Sequence, residues 1–372
     1  MSSFYIPLVN IPSADIDIRP EFKALFPHAN IEPQHLITLD DLPQSDLKVQ
    51  LPPENTKWIV VDHNKLQSTL GEIYGNRVQG AIDHHDDEGT VPKDTGDEPR
   101  IIEKSGSCTS LVTNHIRETW DALSSSALSS GAAHAQGDAN DGVVEDAAMT
   151  TLWDAQVAKL AIASILIDSS NLKNEDKTTD HDVRAVEYLE AKINSHPQSA
   201  TSWDRSAFFK EINTAKRDLD SLKLGDILRK DYKEWDTNGI KLGVSSVVKP
   251  ITYLASKAES ELSDAGDKSA AFYKALEGFA SERKLPLYAL MTTSTSNEGK
   301  FQRELLLWAF DEQATEFAKK FEKDSEKELG LEAWSGDIKV EETKEGWRKI
   351  WWQKEVQHSR KRVAPLLRES MI

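Results

Sequence analysis

Short apolar runs alternate with stretches of helical periodicity along the first half of the chain. The runs predict strands at Phe4–Ile11, His35–Leu39, Trp58–Val61 and Val78–Ile82. Apolar residues at helical spacing predict helices at Ser107–Trp120 and Asp146–Asp168. Strands that alternate with helices pair in parallel and carry the helices on the faces of the sheet. We therefore predict an α/β fold with a doubly wound parallel sheet.

The second half of the chain mixes helices and strands without that alternation. Helices are predicted at His181–Asn194, Arg205–Leu222, Ser256–Ser263 and Lys268–Lys284. Strands are predicted at Ile240–Val248, Leu285–Thr293 and Glu304–Ala309. Pro197 and the small polar residues around it in Ser195–Thr201 predict a linker. We expect a catalytic domain at residues 1–195 and a smaller α+β domain at residues 202–372.

Two further segments have their own patterns. Residues 124–142 are rich in Ser, Ala and Gly and contain few large apolar side chains, so we predict a disordered insertion at about residues 122–145. Trp347, Trp351 and Trp352 are spaced so that a helix would place two of the rings on one face. We expect those rings to pack in a core or between domains.

Three apolar segments of the first domain each end at an aspartate. They end at Asp62, at Asp83 and at Asp168, and Asp83 is followed by His84 and His85. A single aspartate after a strand is also a common turn or helix-capping residue. However, ligands of open α/β sheets bind at the carboxyl ends of strands, where these groups would meet. Carboxylates with few imidazoles and no thiolate favour Mn²⁺ or Mg²⁺ over zinc, so we predict hydrolysis at a carboxylate-rich metal centre.

These segments resemble motifs two, three and four of the DHH phosphoesterase superfamily. The matching sequences are VDHN (61–64), IDHH (82–85) and ILID (165–168), and GSCTS (106–110) matches a segment that follows the histidine pair. RKDYKEW (229–235) and SRKRVAP (359–365) resemble substrate-binding motifs shared by eukaryotic exopolyphosphatases and family II inorganic pyrophosphatases. FYIPLVNIP (4–12) and LDDL (39–42) place the resemblance nearest to the cytosolic exopolyphosphatases.

The resemblance implies a role for each matching residue. Asp62 and Asp168 would hold the metal ions, His84 would be a metal ligand, and His85 would contact the substrate phosphate and assist proton transfer. Asp83 would orient the histidines. The residues implied to bind substrate phosphate are Lys233, Ser359, Arg360 and Lys361.

One motif of the superfamily is not present at the expected place. The family begins with a strand and an Asp-x-Asp motif, whereas this sequence begins just before what resembles the second strand. We therefore expect a sheet that lacks its first strand and a two-metal site with one position under-liganded. Asp15 and Asp17 imitate the motif but align with a later segment that has no metal role. The alternatives are an N-terminally truncated fragment and a catalytically impaired polyphosphate-binding paralogue.

Composition and charge narrow the function further. The single cysteine excludes an intramolecular disulfide and favours a reducing compartment, so we predict a cytoplasmic protein. No apolar run is expected to span a membrane, and the net charge of −17 disfavours nucleic-acid binding. The nuclease-type relatives carry a Gly-Gly-Gly-His domain, but this chain has no Gly-Gly pair. The favoured prediction is a monomeric exopolyphosphatase that uses Mn²⁺ or Mg²⁺; inorganic pyrophosphatase is the alternative with the same chemistry.

Overall fold

In the computed structural model the chain separates into two units, residues 1–216 and 217–372. The structure describes residues 5–43, 45–134, 140–237, 239–262, 267–296, 298–339 and 346–372. The separation between the units falls one helix later than the linker predicted at Ser195–Thr201. Within the predicted linker, Pro197 begins a short helix, a position at which its fixed φ is favourable.

The strands of the first unit pair in parallel. They are β1 (Leu8–Val9), β2 (Ile37–Thr38), β3 (Trp58–Val61), β4 (Val78–Asp83) and β5 (Arg100–Ile102). The first two strands form one small sheet, and the other three form a sheet in the order β3-β4-β5. Val61 pairs with Ile82, so β3 and β4 end side by side at the same edge. This edge carries the predicted site.

Helices make up most of the first unit. They are α1 (Ala14–Asp17), α2 (Pro20–Leu25), α3 (Leu47–Gln50), α4 (Ser68–Tyr74), α5 (Cys108–His134), α6 (Asn140–Asp168), α7 (Asp180–Asn194), α8 (Pro197–Ser202) and α9 (Arg205–Arg217). Short 3-10 helices lie at Phe26–Ala29, Pro33–His35, Leu39–Asp41, Pro53–Asn55 and Gly75–Arg77. The α/β class predicted from the sequence is confirmed.

The predicted disordered insertion at residues 122–145 is wrong where the structure describes it. α5 continues through His134, and α6 begins at Asn140; residues 135–139 lie outside the described part of the chain. Alanine has the highest intrinsic helix propensity, so a stretch of Ala and Ser that lacks core-forming side chains can still extend a helix. Low hydrophobicity in this stretch therefore does not imply an absence of secondary structure.

One described helix is long and apolar enough to span a membrane, contrary to the expectation from sequence. It is the part of α6 from Ala147 to Asp168. Ala158, Ile162, Ile165 and Leu166 of this stretch are fully buried in a core cluster shared with α7 and α9. These four side chains pack in a core of the first unit.

The second unit is a mixed six-stranded sheet with helices on both faces. Its strands are β6 (Tyr232–Thr237), β7 (Ile240–Val247), β8 (Leu287–Thr295), β9 (Phe301–Ala309), β10 (Leu331–Ala333) and β11 (Trp347–Gln353). The order is β10-β11-β9-β8-β7-β6, in which only β7 and β8 pair in parallel. Its helices are α10 (Leu224–Lys230), α11 (Ile251–Glu261), α12 (Lys268–Arg283), α13 (Glu312–Leu329) and α14 (Arg360–Ser370).

Alternate residues of the central strands enter two different cores. Along β8, Tyr288 and Leu290 pack with α10, α11 and α12, whereas Leu287, Ala289 and Met291 pack with α13 and α14. This is the period of two that a strand imposes when both faces of its sheet are covered. The two cores fix the sheet, and the sheet in turn fixes where α14 begins.

The C-terminal tryptophans lie on a strand and not on a helix. Trp347 and Trp351 lie on one face of β11 with ring centroids 5.8 Å apart. Trp352 lies on the other face, beside Trp334. A spacing of four residues places side chains on one face of a helix and also on one face of a strand, so the tryptophan positions alone did not distinguish the two.

Candidate metal centre

Asp62 lies one residue beyond β3 in an unusual backbone conformation. Its amide donates a hydrogen bond to the carbonyl of Ile82 at 3.0 Å, which continues the pairing with β4. Its φ is +65°, in the left-handed region that asparagine and aspartate tolerate better than most residues. The side chain is 62% exposed despite this fixed backbone. Such a conformation costs free energy and is concentrated at functional sites.

His84 follows β4 and is held in one tautomer. Its Nδ1 lies 3.1 Å from the carbonyl oxygen of Ser105. A carbonyl can only accept, so Nδ1 carries a proton, and in the neutral imidazole Nε2 is the nitrogen with the lone pair. Nε2 lies 3.1 Å from Oδ1 of Asp62. This arrangement directs two lone-pair donors toward one point, and a carbonyl partner on the far nitrogen is usual for metal-binding histidines.

Asp83 is fully buried and orients His85. One carboxylate oxygen accepts from Nδ1 of His85 at 2.6 Å and from its amide at 3.1 Å. The other accepts from Nδ2 of Asn64 at 2.6 Å. Burial alone would raise the pKa of Asp83, but the hydrogen bonds from His85 and Asn64 lower that pKa to about 2. The charged carboxylate therefore fixes the proton of His85 on Nδ1 and turns Nε2 away from Asp83.

The ligand atoms of Asp62, His84 and His85 lie within 4.8 Å of one another. One carboxylate and two imidazoles at this spacing fit a divalent ion, since both histidines are held in tautomers that present a lone pair. Asp15 and Asp17 do not belong to this group. They lie on α1, where Asp17 is exposed and lies 3.8 Å from the Lys23 ammonium.

Asp168 lies at the end of α6 rather than at the end of a strand. Its carboxylate accepts a hydrogen bond from the Ser107 hydroxyl at 2.7 Å. Burial raises the pKa of the Asp168 carboxyl, and the hydrogen bond from Ser107 opposes that change. The charges of His84 and Asp62 also influence this pKa, so Asp168 lies near them, although it is outside the 4.8 Å group.

The predicted phosphate-binding residues lie in the second unit. Ser359 caps α14, where its side chain accepts from the amide of Lys361. Arg360 donates to Asp231 twice, to its carbonyl oxygen at 2.9 Å and to its carboxylate at 2.7 Å. Lys361 is exposed at the first turn of α14, and Lys233 lies on β6 opposite Val244. The sequence motifs are thus found at the start of one helix and on the edge strand of the sheet.

Asp182 is a residue at the site that the sequence did not single out. It lies in the first turn of α7, is fully buried, and accepts hydrogen bonds from the GSCTS turn. Thr179 and Asp182 form a capping box, and this four-residue signature was readable in the sequence. That signature indicates where a helix begins, but it does not reveal a contact more than seventy residues away along the chain.

Comparisons with known proteins agree with both units. Residues 210–370 match the model of the DHHA2 domain. A Schizosaccharomyces pombe protein provisionally named an exopolyphosphatase is 31% identical over 372 residues, which covers 98% of this chain and 82% of the relative. A manganese-dependent inorganic pyrophosphatase of Methanothrix thermoacetophila is 33% identical over 144 residues, covering 38% of this chain and 40% of the relative.

A solved structure shares the fold. The protein, from Methanococcus jannaschii, is provisionally classed as a family II inorganic pyrophosphatase. It superposes with a TM-score of 0.56 at 17% identity, and the match covers 98% of each chain. At that identity the likeness bears on the fold alone, and it agrees with parallel strands followed by a second sheet domain.

Proposed function

The chain belongs to the DHH phosphoesterase superfamily, and from that premise we propose that it is a metal-dependent phosphoanhydride hydrolase. We further propose that it releases orthophosphate from the ends of inorganic polyphosphate, with Mn²⁺ or Mg²⁺ as cofactor. The Schizosaccharomyces pombe relative named an exopolyphosphatase and the manganese-dependent pyrophosphatase support the proposal. We expect it to act in the cytoplasm, as a monomer.

The observation that carries the proposal is the group formed by Asp62, His84 and His85 within 4.8 Å. A divalent ion bound there would supply Lewis acidity toward phosphoryl oxygens and lower the pKa of a coordinated water. The chain supplies the remaining requirements. Ser105 and Asp83 fix the two imidazoles, and the Nδ1 proton of His85 is held by a carboxylate. We propose that Asp62 and His84 would hold the ion, which leaves Nε2 of His85 available to exchange a proton with the reacting groups.

Phosphoryl transfer depends mainly on positioning and on neutralising charge. We propose that Arg360 and Lys361 bind phosphate oxygens, with Lys233 and the Ser359 hydroxyl assisting. The Arg360 guanidinium already forms a forked contact with Asp231, so its planar donors are ordered before substrate arrives. Asp168 would be a further metal ligand, held by Ser107.

Orthophosphate release by the full chain tests the proposal. We expect release from polyphosphate with Mn²⁺ or Mg²⁺, loss of release in excess chelator, and recovery when the ion is added back. Pyrophosphate serves as the parallel substrate. Hydrolysis of pyrophosphate alone would favour the pyrophosphatase alternative. Tight binding of polyphosphate by folded protein without turnover would favour the catalytically impaired paralogue.

Replacing Arg360 by alanine is expected to raise KM for polyphosphate by about 10- to 100-fold. A hydrogen bond between charged partners contributes about 1.5–3 kcal/mol, and this truncation removes such donors. Metal affinity should stay within about twofold, because Arg360 has no place in the metal group. KM and kcat from initial rates, with Mn²⁺ binding measured separately, check both statements.

Arg362→Ala is the matched control. It removes a guanidinium two residues along α14, whose Nη2 lies 3.0 Å from Oε2 of Glu328. Arg362 on α14 pairs with Glu328 on α13, and both side chains are exposed. Because such a surface pair contributes little, we expect KM to change by less than about threefold. An unchanged KM in Arg360→Ala, or an equal change in both variants, would remove Arg360 from the substrate-binding set.

A further inference from the structure

Asp182 has more hydrogen bonds than a helix cap requires. Its two carboxylate oxygens accept from the amide of Gly106 at 2.9 Å, the amide of Ser107 at 3.0 Å and the hydroxyls of Ser105 at 3.1 Å and Ser110 at 2.6 Å. Only two of its hydrogen bonds belong to the cap, from the amide and the hydroxyl of Thr179, both at 2.8 Å. The carboxylate is fully buried and is stabilised by these donors.

The Ser105–Ser110 turn, which includes the first three residues of α5, is held by Asp182 and contacts two predicted metal ligands. The carbonyl of Ser105 accepts from Nδ1 of His84 at 3.1 Å, which sets the tautomer of that histidine. The hydroxyl of Ser107 donates to Asp168 at 2.7 Å. The two contacts come from residues on either side of Gly106, whose amide also binds Asp182.

Gly106 allows this close approach. A Cβ atom at this position would lie 2.8 Å from a carboxylate oxygen of Asp182, which is too close for a real side chain. The backbone of Gly106 therefore packs directly against the Asp182 carboxylate, with no room for a side chain between them. Any shift of Asp182 must move the turn, and the turn cannot move without moving the partners of His84 and Asp168.

We propose that Asp182 is a positioning residue for the metal centre, acting through the Ser105–Ser110 turn on His84 and Asp168 together. The proposal rests on the proposed function only in taking those two residues as metal ligands. Mutation of a residue that orients metal ligands without contacting the ion typically lowers metal affinity by about 10–100-fold. Asp182 itself touches neither the ion nor the substrate in this role.

A purely structural role for Asp182 makes a different prediction. If Asp182 only caps α7, its loss would lower stability and leave the affinity of the folded protein for metal unchanged. Thr179→Ala is the matched control, because it removes a hydroxyl donor on the cap side and leaves every hydrogen bond from the turn in place. Comparing Asp182→Asn with Thr179→Ala thus separates the positioning role from the capping role, because both substitutions weaken the N-terminal cap of α7.

The test uses the full chain with Asp182→Asn and Thr179→Ala. Mn²⁺ binding is measured by titration calorimetry and by the electron paramagnetic resonance of free Mn²⁺, and circular dichroism reports folding. We expect Asp182→Asn to raise the Kd for Mn²⁺ by about 10–100-fold and Thr179→Ala by less than about threefold. Unchanged Mn²⁺ affinity in folded Asp182→Asn would overturn the proposal, as would an equal loss in both variants.

A second variant covers the case in which Asp182→Asn does not fold. Ser105→Ala combined with Ser110→Ala removes two turn hydroxyls that donate to Asp182 and keeps the buried carboxylate. We expect Mn²⁺ affinity to fall several-fold, and wild-type affinity would overturn the proposal. Orthophosphate release is measured separately. Wild-type protein that binds Mn²⁺ without hydrolysing polyphosphate would refute the proposed function but not the positioning role.

Discussion

Replacing Asp62 by asparagine is expected to lower orthophosphate release by at least about 100-fold. The substitution removes a charged oxygen from the group in which Asp62 meets His84 and His85, so both metal affinity and the geometry of the centre should suffer. Asparagine is preferred to alanine here because the backbone φ of +65° suits asparagine, whereas alanine would add a backbone cost. Rates at saturating Mn²⁺ and Mn²⁺ affinity by calorimetry provide the measurement.

Asp97→Ala is the control for that experiment. Asp97 is an exposed carboxylate on the loop between β4 and β5 of the same unit, and it is not a member of the metal group. Its removal changes the net charge by the same amount and should leave turnover within about twofold of wild type. Full turnover in Asp62→Asn would refute the metal assignment. A residual rate accompanied by a further loss in Asp17→Ala would bring Asp15 and Asp17 back as replacement ligands.

Replacing Lys192 by methionine is expected to destabilise the first unit by about 2–4 kcal/mol. The ammonium of Lys192 lies 3.0 Å from Asp121, 3.1 Å from Asp154 and 3.1 Å from the Ser124 hydroxyl, and its side chain is only 12% exposed. It also lies over the rings of Trp120 and Tyr188. Removing it leaves Asp154 largely buried without its cation, and the loss of one partner from such a pair is strongly destabilising.

Urea unfolding of Lys192→Met and of Lys210→Met checks this expectation. Lys210 is exposed on α9, and its replacement should change the free energy of unfolding by no more than about 0.5 kcal/mol. Metal affinity should be preserved in both variants while they remain folded. Equal free energies of unfolding for the two variants would show that the buried contacts of Lys192 contribute no more to stability than an exposed lysine does.

The features that were predictable from sequence are those encoded within a few residues. β3 and β4 are short apolar runs, and the polar residues directly after them had to lie at one edge of a parallel sheet. That edge is where the structure places Asp62, His84 and His85. The family and the α/β class followed from the same segments and are confirmed by the relatives. The roles of the individual site residues stay predictions.

The features that sequence analysis missed depend on contacts between residues far apart in the chain, or on residue spacings that a helix and a strand share. Asp182 has the local appearance of a helix cap, and its main partners lie more than seventy residues earlier in the chain. Trp347 and Trp351 satisfy the spacing of a helix and of a strand equally, so the neighbouring strand β9 decided the outcome. The stretch before His134 was judged by its lack of core residues, although helix propensity does not require a core.

If Arg360 binds phosphate as proposed, its contact with Asp231 has a consequence for which phosphate group binds there. A phosphate that takes the place of the Asp231 carboxylate on this guanidinium exchanges one ion pair for another. The gain in free energy is then the difference between two ion pairs, and a dianion gains more than a monoanion. A phosphate monoester-like terminus carries about −1.5 to −2 charges at neutral pH, whereas an interior unit of the polymer has one acidic oxygen. Competition from the Asp231 carboxylate would thus favour binding of the doubly charged chain ends over the singly charged interior units. This selection would depend on charge and would need no steric block.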